Sequence, residues 1–355
     1  MKIKTNVHPI ITILTLLALF ALPATQGVAA ELTLKVHHFL GEESLPHKML
    51  IEPWAERIES ASNGRIEVEI HPAMTLGGRA PDLVKQVQNG TVDIIWTAAA
   101  YTPGRFPRAE VFTLPMVHKG DPAATNLAII DTLDQELSPD FEGLHPLLIH
   151  VHSGHALHMG KQPIKRMGDF SGLIIRPPGR GVGSWTIKAL GADTTKKRHP
   201  KLPKALKNNL LDGALMSFQL AQKMGVAEAA NSHTLLDEDE YFGTSLYLFL
   251  MNKARYDSLP EDLRSVIDQS SGRPLAKEIG GIWREAGTSA LEAARKRGSR
   301  IDVLKGEELQ SARQALQEVL SRWVKTVDNK QINGLRLIKK ARQAIEHHES
   351  GATPR

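Results

Sequence analysis

The 355-residue chain contains no cysteine. Disulfides, thiolate metal sites and thiol nucleophiles are therefore excluded, and stability has to come from packed cores. Long apolar runs are also missing: the longest, Ile10–Leu22, has 13 residues, short of the roughly 20 that span a bilayer as a helix. It follows Lys2 and Lys4 and precedes Val28-Ala29-Ala30, the layout of a secretory signal. Residues 1–30 therefore read as a cleaved leader, with the mature chain starting at Glu31 in the periplasm. Charge of one sign is lacking too. Without the leader there are 44 − 2 = 42 basic against 39 acidic residues, or +3, and they alternate in runs such as "EAARKRGSRIDVLKGEE". Nucleic acid is a poor partner for such a surface. No Gly-x-Ser-x-Gly elbow, phosphate loop or His-Glu-x-x-His motif occurs, so nothing identifies an enzyme or a cofactor.

What is present is alternation. "LTLKVHHF" (32–39), "RIEVEIHP" (65–72) and "TVDIIWT" (91–97) read as strands, separated by helical stretches at 47–62 and 80–90. The first helix stops at Asn63-Gly64, and the second has Pro81 in its first turn and Gly90 at its end. The theme returns in "GLIIR" (172–176), a helix ended by Gly191, a helix over 201–209, and the strand "LLDGALMS" (210–217). In 89–97 and in 208–217 a helix end is followed by an aspartate, Asp93 or Asp212, and then a buried strand. Strands alternating with helices predict an α/β fold with largely parallel sheets, and the repeated junction predicts two similar lobes. Beyond the strand "TSLYLFLMN" (244–252) the pattern is helical, with a capping box expected at Ser258–Glu261 and amphipathic helices over 274–297 and 306–347. The tail "HHESGATPR" reads as frayed. The expected division is lobe I from 31–152 with about 236–275, lobe II from 153–235, bracing helices over 276–347 and a loose end at 348–355.

"ASNGRIEVEIHPAMTLGGRAPDLVKQVQNGTVDI", "KQPIKRMGDFSGLIIR" and "ALKNNLLDG" occur in this order and spacing. Together they resemble the solute-binding proteins of TRAP transporters, the DctP-like type, over about residues 33–330. "YTPGRFPRAEVFTLP" (101–115) resembles a subgroup of that family. The resemblance implies two α/β lobes that close on a small organic acid. It also implies delivery to the membrane subunits of an ion-driven permease, by a monomer or dimer. In such proteins an arginine ending the "GLKIR" strand receives the ligand carboxylate, and Arg176 stands there.

The residues support that role on their own terms. A guanidinium stays charged and presents a fork that matches a carboxylate, and Pro177 restricts Arg176 to extended backbone. The bland alternative is a solvated arginine just past a strand, which suits Arg180 better. "HPLLIHVHSGHALHMG" gathers His150, His152, His155 and His158, and imidazoles so close raise a zinc hypothesis. The family comparison gives His155 a different meaning. Members with the dicarboxylate pattern often have an arginine at this place and an asparagine four residues on, where this chain has His155 and Met159. Likewise the run after Asp212-Gly213 is apolar here, with Met216 and Phe218 expected on one strand face and Ser217 on the other. Trp96, Thr97 and Tyr101 follow a strand's C-terminal end, where open α/β sheets bind ligands, and His38 and Phe39 end the first strand. Arg105 and Arg108 read as a loop clamp. The expected ligand is a monocarboxylate with a less charged, bulky or aromatic remainder. The alternatives are a C4-dicarboxylate, a metal held by the His150–His158 cluster, an exported enzyme, and a sensor that presents its ligand to a receptor.

Overall fold

The computed structural model describes Met1 and residues 30–195, 201–237 and 240–350. The expected leader, apart from its two end residues, and the last five residues of the chain lie outside that range. Eleven strands are found among the described residues: β1 (Leu32–His38), β2 (Ile66–His71), β3 (Ile94–Ala98), β4 (Leu144–Val151), β5 (Ala156–Met159), β6 (Ile174–Arg176), β7 (Asp193–Thr194), β8 (Gly213–Met216), β9 (Ser232–Leu235), β10 (Leu246–Asn252) and β11 (Arg300–Val303). They form two sheets, β2-β1-β3-β10-β4 and β11-β9-β5-β8-β6-β7.

Written from the other edge, the second sheet is β7-β6-β8-β5-β9 with β11 added, so strand by strand it repeats the first. In each, the first strand of the lobe pairs in parallel with the second and third. The antiparallel ladders come from exchanged strands: β5 follows β4 out of the first sheet and pairs with β8, while β10 returns from β9 and pairs with β3. The repeated aspartate has the same job in both lobes. Asp93 Oδ2 accepts the Lys35 N–H of β1 at 2.9 Å, and Asp212 Oδ2 accepts the Ile174 N–H of β6 at 2.8 Å. Each aspartate carbonyl accepts a backbone N–H at the end of an exchanged strand: Asn252, the last residue of β10, for Asp93 and Gly160, the residue after β5, for Asp212, both at 2.8 Å. A carboxylate at the entry of the third strand thus sets its register against the first.

Apolar side chains alternate along β1, β3 and β10 to cover both faces of the first sheet. Leu34, Val36, Trp96 and Phe249 pack with Trp54, Ile58 and Ile279, while Ile95, Leu248, Leu250 and Val151 pack with Leu83, Val87 and Ile129. Helix Gly272–Lys296 lies against both lobes, on helix Pro122–Thr132 and strand β4 of the first and on helix Phe218–Lys223 of the second.

Three local expectations fail. Ser258 makes no capping box: its hydroxyl donates to the Arg255 carbonyl at 2.7 Å, closing the preceding helix, and helix Glu261–Gln269 starts after Pro260 without a side-chain cap. The helical stretch over 306–347 is two helices, Gly306–Asp328 and Gly334–Glu349. The chain turns between them at Gln331, with φ at 62°, and Asp328 and Asn333 accept backbone N–H groups of the second helix. The end is not frayed as far as Glu349, because His348 Nε2 reaches Asp131 at 2.6 Å, beside the Arg273 guanidinium bound to the same carboxylate.

Candidate functional site

The two lobes meet where the chain crosses between sheets, at 152–155 and 240–245. The crossings are bonded to each other: His155 N–H donates to the Gly243 carbonyl at 2.8 Å, Phe242 N–H to the His155 carbonyl at 3.1 Å, and the Thr244 hydroxyl to the His152 carbonyl at 2.8 Å. Gly154 sits at φ +130°, and a Cβ there would lie 2.3 Å from the Tyr241 ring. Only glycine fits that crossing.

In front of the crossings lies a narrow cleft that opens to solvent. One wall is first-lobe chain between Ala99 and Thr113, the other is the second-lobe loop Pro178–Gly183, and His155, Thr244 and Ser245 form the base. The lobes touch at its mouth, because a Cβ on Gly179 would come within 2.8 Å of Ala100 Cβ.

Arg176 ends β6 beside this cleft and is half-buried. Burial works against its charge, and the nearest ionisable groups are Tyr101 and Tyr247, with His155 also close. Among the described residues no carboxylate is paired with it. A guanidinium in that position keeps its proton and its five donors, so its surroundings favour an anion from outside the protein.

Behind the arginine stands a layer of rings. Trp96 is stacked between Phe39, at 5.4 Å, and Tyr247, at 4.9 Å, and Tyr101 meets Phe39 edge-on at 5.0 Å. Trp283 of helix Gly272–Lys296 continues the stack beyond Tyr247 at 5.9 Å. Trp96, stacked on both faces, is buried in the middle of this layer, while Phe39 and Tyr101 keep part of their surface exposed.

The histidines are buried and separately engaged. Trp96 Nε1–H donates to His150 Nε2 at 3.1 Å, so the His150 proton sits on Nδ1. His152 Nδ1 accepts the Gly154 N–H at 3.0 Å within the crossing. His155 Nε2 is 3.0 Å from the Ser245 hydroxyl. His158 Nε2 donates to the Met216 carbonyl at 3.1 Å, so its Nδ1 accepts from His233 Nδ1 at 2.8 Å. Burial pushes His155 down to about 3, with His118 and Arg176 adding to the shift. The imidazole replacing a second cation is therefore neutral. No group of three His, Asp or Glu among the described residues is arranged to share an ion.

Arg176, His155 and Tyr101 come together with Phe39 and Trp96 behind them, and exposed Arg180 lies on the cleft rim. Trp96 is part of the supporting layer, its N–H spent on His150. Thr97 lies on the opposite sheet face from Trp96, fully buried, with no partner for its hydroxyl. His38 turns away to His47 at 2.9 Å, which reaches Glu52 at 3.0 Å. Met216 belongs to the small apolar cluster with Ala214, Ala221 and Val226. Phe218 is not on the strand at all: β8 ends at Met216, Phe218 opens a helix, and its ring packs on His158 and His233. The strand alternation assumed for Met216, Ser217 and Phe218 fails there, because Ser217 is the junction preceding that helix.

Two cleft residues, Ser245 and Glu110, and one neighbour of Arg176, Tyr247, escaped the sequence reading. Tyr247 had a signal, as the one hydroxyl-bearing side chain between Leu246 and Met251 in a strand otherwise apolar. Arg105 acts as the clamp expected of it, donating to the Asp140 carbonyl.

The profile of the bacterial extracellular solute-binding protein family 7 matches residues 36–326. A marine-metagenome TRAP solute-binding protein specific for aromatic acid ligands, solved with metahydroxyphenylacetate, is 33% identical, with a TM-score of 0.83 over 89% of this chain and 98% of that one. A TRAP solute-binding protein from Rhodoferax ferrireducens, solved with copurified benzoate, is 31% identical, with a TM-score of 0.82 over 90% of this chain and 99% of that one. The C4-dicarboxylate-binding periplasmic protein of Rhodobacter capsulatus is 25% identical over 300 residues, covering 83% of this chain and 86% of its own.

Proposed function

Because the chain belongs to family 7 of the bacterial extracellular solute-binding proteins, we propose that it captures an aromatic monocarboxylate in the periplasm for a TRAP-type permease. The observation that carries this reading is Arg176, half-buried beside Tyr101 and Tyr247 with no protein carboxylate as its partner among the described residues. The ligand carboxylate takes the guanidinium fork, and the ring lies against the partly exposed rings of the aromatic layer, Tyr101 and Phe39, which buried Trp96 supports. His155, neutral through burial, gives no second cation for a dicarboxylate. The relatives that bind aromatic acids support the same choice over the dicarboxylate-binding one.

Binding proceeds by lobe closure: ligand contacts from both lobes favour the closed state and shift the population towards it. The crossings at 152–155 and 240–245 carry the movement. The protein hands its ligand over unchanged and performs no chemistry on it. The leader at 1–30 directs export, and the mature chain works as the soluble partner of membrane subunits driven by an ion gradient.

Calorimetric titration with benzoate and succinate tests the assignment. Benzoate is expected to bind at least about tenfold more tightly, and Arg176→Ala is expected to lose about 100-fold or more, the scale of a desolvated charge-assisted pair. Equal benzoate affinity in Arg176→Ala, or a preference for succinate, would overturn it.

A further inference from the structure

We propose that Glu110 reads the end of the ligand remote from its carboxylate. It selects an aromatic acid bearing an uncharged hydrogen-bonding group such as a hydroxyl, and turns away a second carboxylate. This inference rests on the monocarboxylate reading above.

Glu110 lines the same cleft as His155 and Ser245, with Arg180 on its rim and Arg176 beside His155, so a carboxyl wall stands across the cleft from the arginine's neighbour. The backbone beneath it is pinned. Arg108 and Ala109 N–H donate to Asp140 Oδ2 at 2.8 and 2.9 Å, Glu110 N–H donates to the Phe106 carbonyl at 3.1 Å, and the Thr113 hydroxyl donates to the Glu110 carbonyl at 2.7 Å. The second lobe arrives from the other side, where a Cβ on Gly181 would be 3.3 Å from Glu110 Oε1. A side chain fixed from below and covered from above is preorganised for recognition.

Among the described residues its carboxyl enters no salt bridge. The groups facing it are the Trp323 indole, outside normal hydrogen-bond geometry, Lys330, whose ammonium donates to the Gly104 carbonyl at 2.9 Å, and Asp140. Burial pushes the Glu110 carboxyl up to about 7 against the pull of Trp323 and Lys330, with Asp140 adding to the rise. Near neutrality a protonated carboxyl both donates and accepts, which suits a hydroxyl. A plain ring leaves it buried and unpaired, which costs affinity. A second carboxylate meets an acid that ionises as pH rises, and like charges repel.

The test is calorimetry on the mature chain with benzoate, 3- and 4-hydroxybenzoate, isophthalate and terephthalate at pH 6 and 8. Wild type is compared with Glu110→Ala and the near-isosteric Glu110→Gln. In wild type the better hydroxybenzoate is expected to bind about tenfold more tightly than benzoate. That ratio should fall to within about twofold in Glu110→Ala and survive in part in Glu110→Gln, whose amide still donates and accepts. The dicarboxylate deficit relative to benzoate should widen from pH 6 to 8 in wild type and stay flat in Glu110→Gln. His155 and Arg176 do not titrate in that window; Asp140, pushed up to about 6 by burial, does at its lower edge, so it is the difference between wild type and Glu110→Gln that isolates Glu110. A merely structural role for Glu110 would move all ligands together. A hydroxyl ratio unchanged in Glu110→Ala, or a wild-type deficit flat with pH, overturns the inference. Failure of every aromatic acid to bind at either pH overturns the parent reading instead, and this one with it.

Discussion

At Arg176 the backbone and the side chain are constrained by different partners. Ile174 N–H is held by Asp212 and Ile175 is fully buried, which fixes the strand end, while Pro177 keeps the next step extended. The side chain then has Tyr101, Tyr247 and His155 as neighbours and no anion among the described residues. Geometry matters here as much as charge. A lysine would supply a point charge without the planar fork, so Arg176→Lys is expected to weaken binding of an aromatic monocarboxylate about tenfold or more. Calorimetry decides it, and wild-type affinity in this variant would show that charge alone suffices. Arg176 could be picked out in the sequence because a charge closing an apolar run before two prolines has few structural uses. Tyr247 left only a faint mark, a hydroxyl in an apolar strand, and Glu110 none, since it acquires its role from second-lobe chain more than 60 residues away in sequence.

Between elements, the tightest constraint lies where helix Gly272–Lys296 crosses helix Pro122–Thr132. A Cβ on Gly280 would stand 2.3 Å from Ala123 Cα and 2.6 Å from its nitrogen, whereas one on Gly281, the next residue, meets nothing within 4 Å. Gly280→Ala should therefore force the helices apart and cost about 1–3 kcal/mol or more. Gly281→Ala should instead gain about 0.5–1 kcal/mol from helix propensity. Thermal melts of the pair read this directly, and two shifts of the same sign would refute the close crossing. The strands and helices themselves were largely legible from periodicity. Their ends were not: the Ser258 cap, the turn at Gln331 and the helix start at Phe218 depend on which neighbour satisfies a backbone group, and spacing along the chain does not carry that information.

For the whole molecule, burial of neutral histidines couples the fold to pH. Burial pushes His38, His118 and His233 down to about 4 and His150, His155 and His158 down to about 3. Their folded values lie below the ordinary 6.5, so the unfolded chain takes up protons first as pH falls. The stability they contribute is complete above pH 6.5 and is lost progressively towards pH 3–4. At pH 5 each costs on the order of 2 kcal/mol, and several together approach the roughly 5–15 kcal/mol that holds a typical fold. Circular dichroism against pH should show unfolding between about pH 6 and 4, and a melting temperature unchanged down to pH 4 would contradict it. The sequence by itself determined the α/β class, the repeated aspartate junctions that make the lobes alike, and the arginine at the strand end, because these follow from local periodicity and from chemistry carried by single residues. Only the tertiary structure decided that β5 and β10 exchange between sheets, that His155 is neutral, and that Glu110 faces the cleft. Those outcomes depend on burial and on contacts between distant segments, and both arise only once the two lobes are packed together.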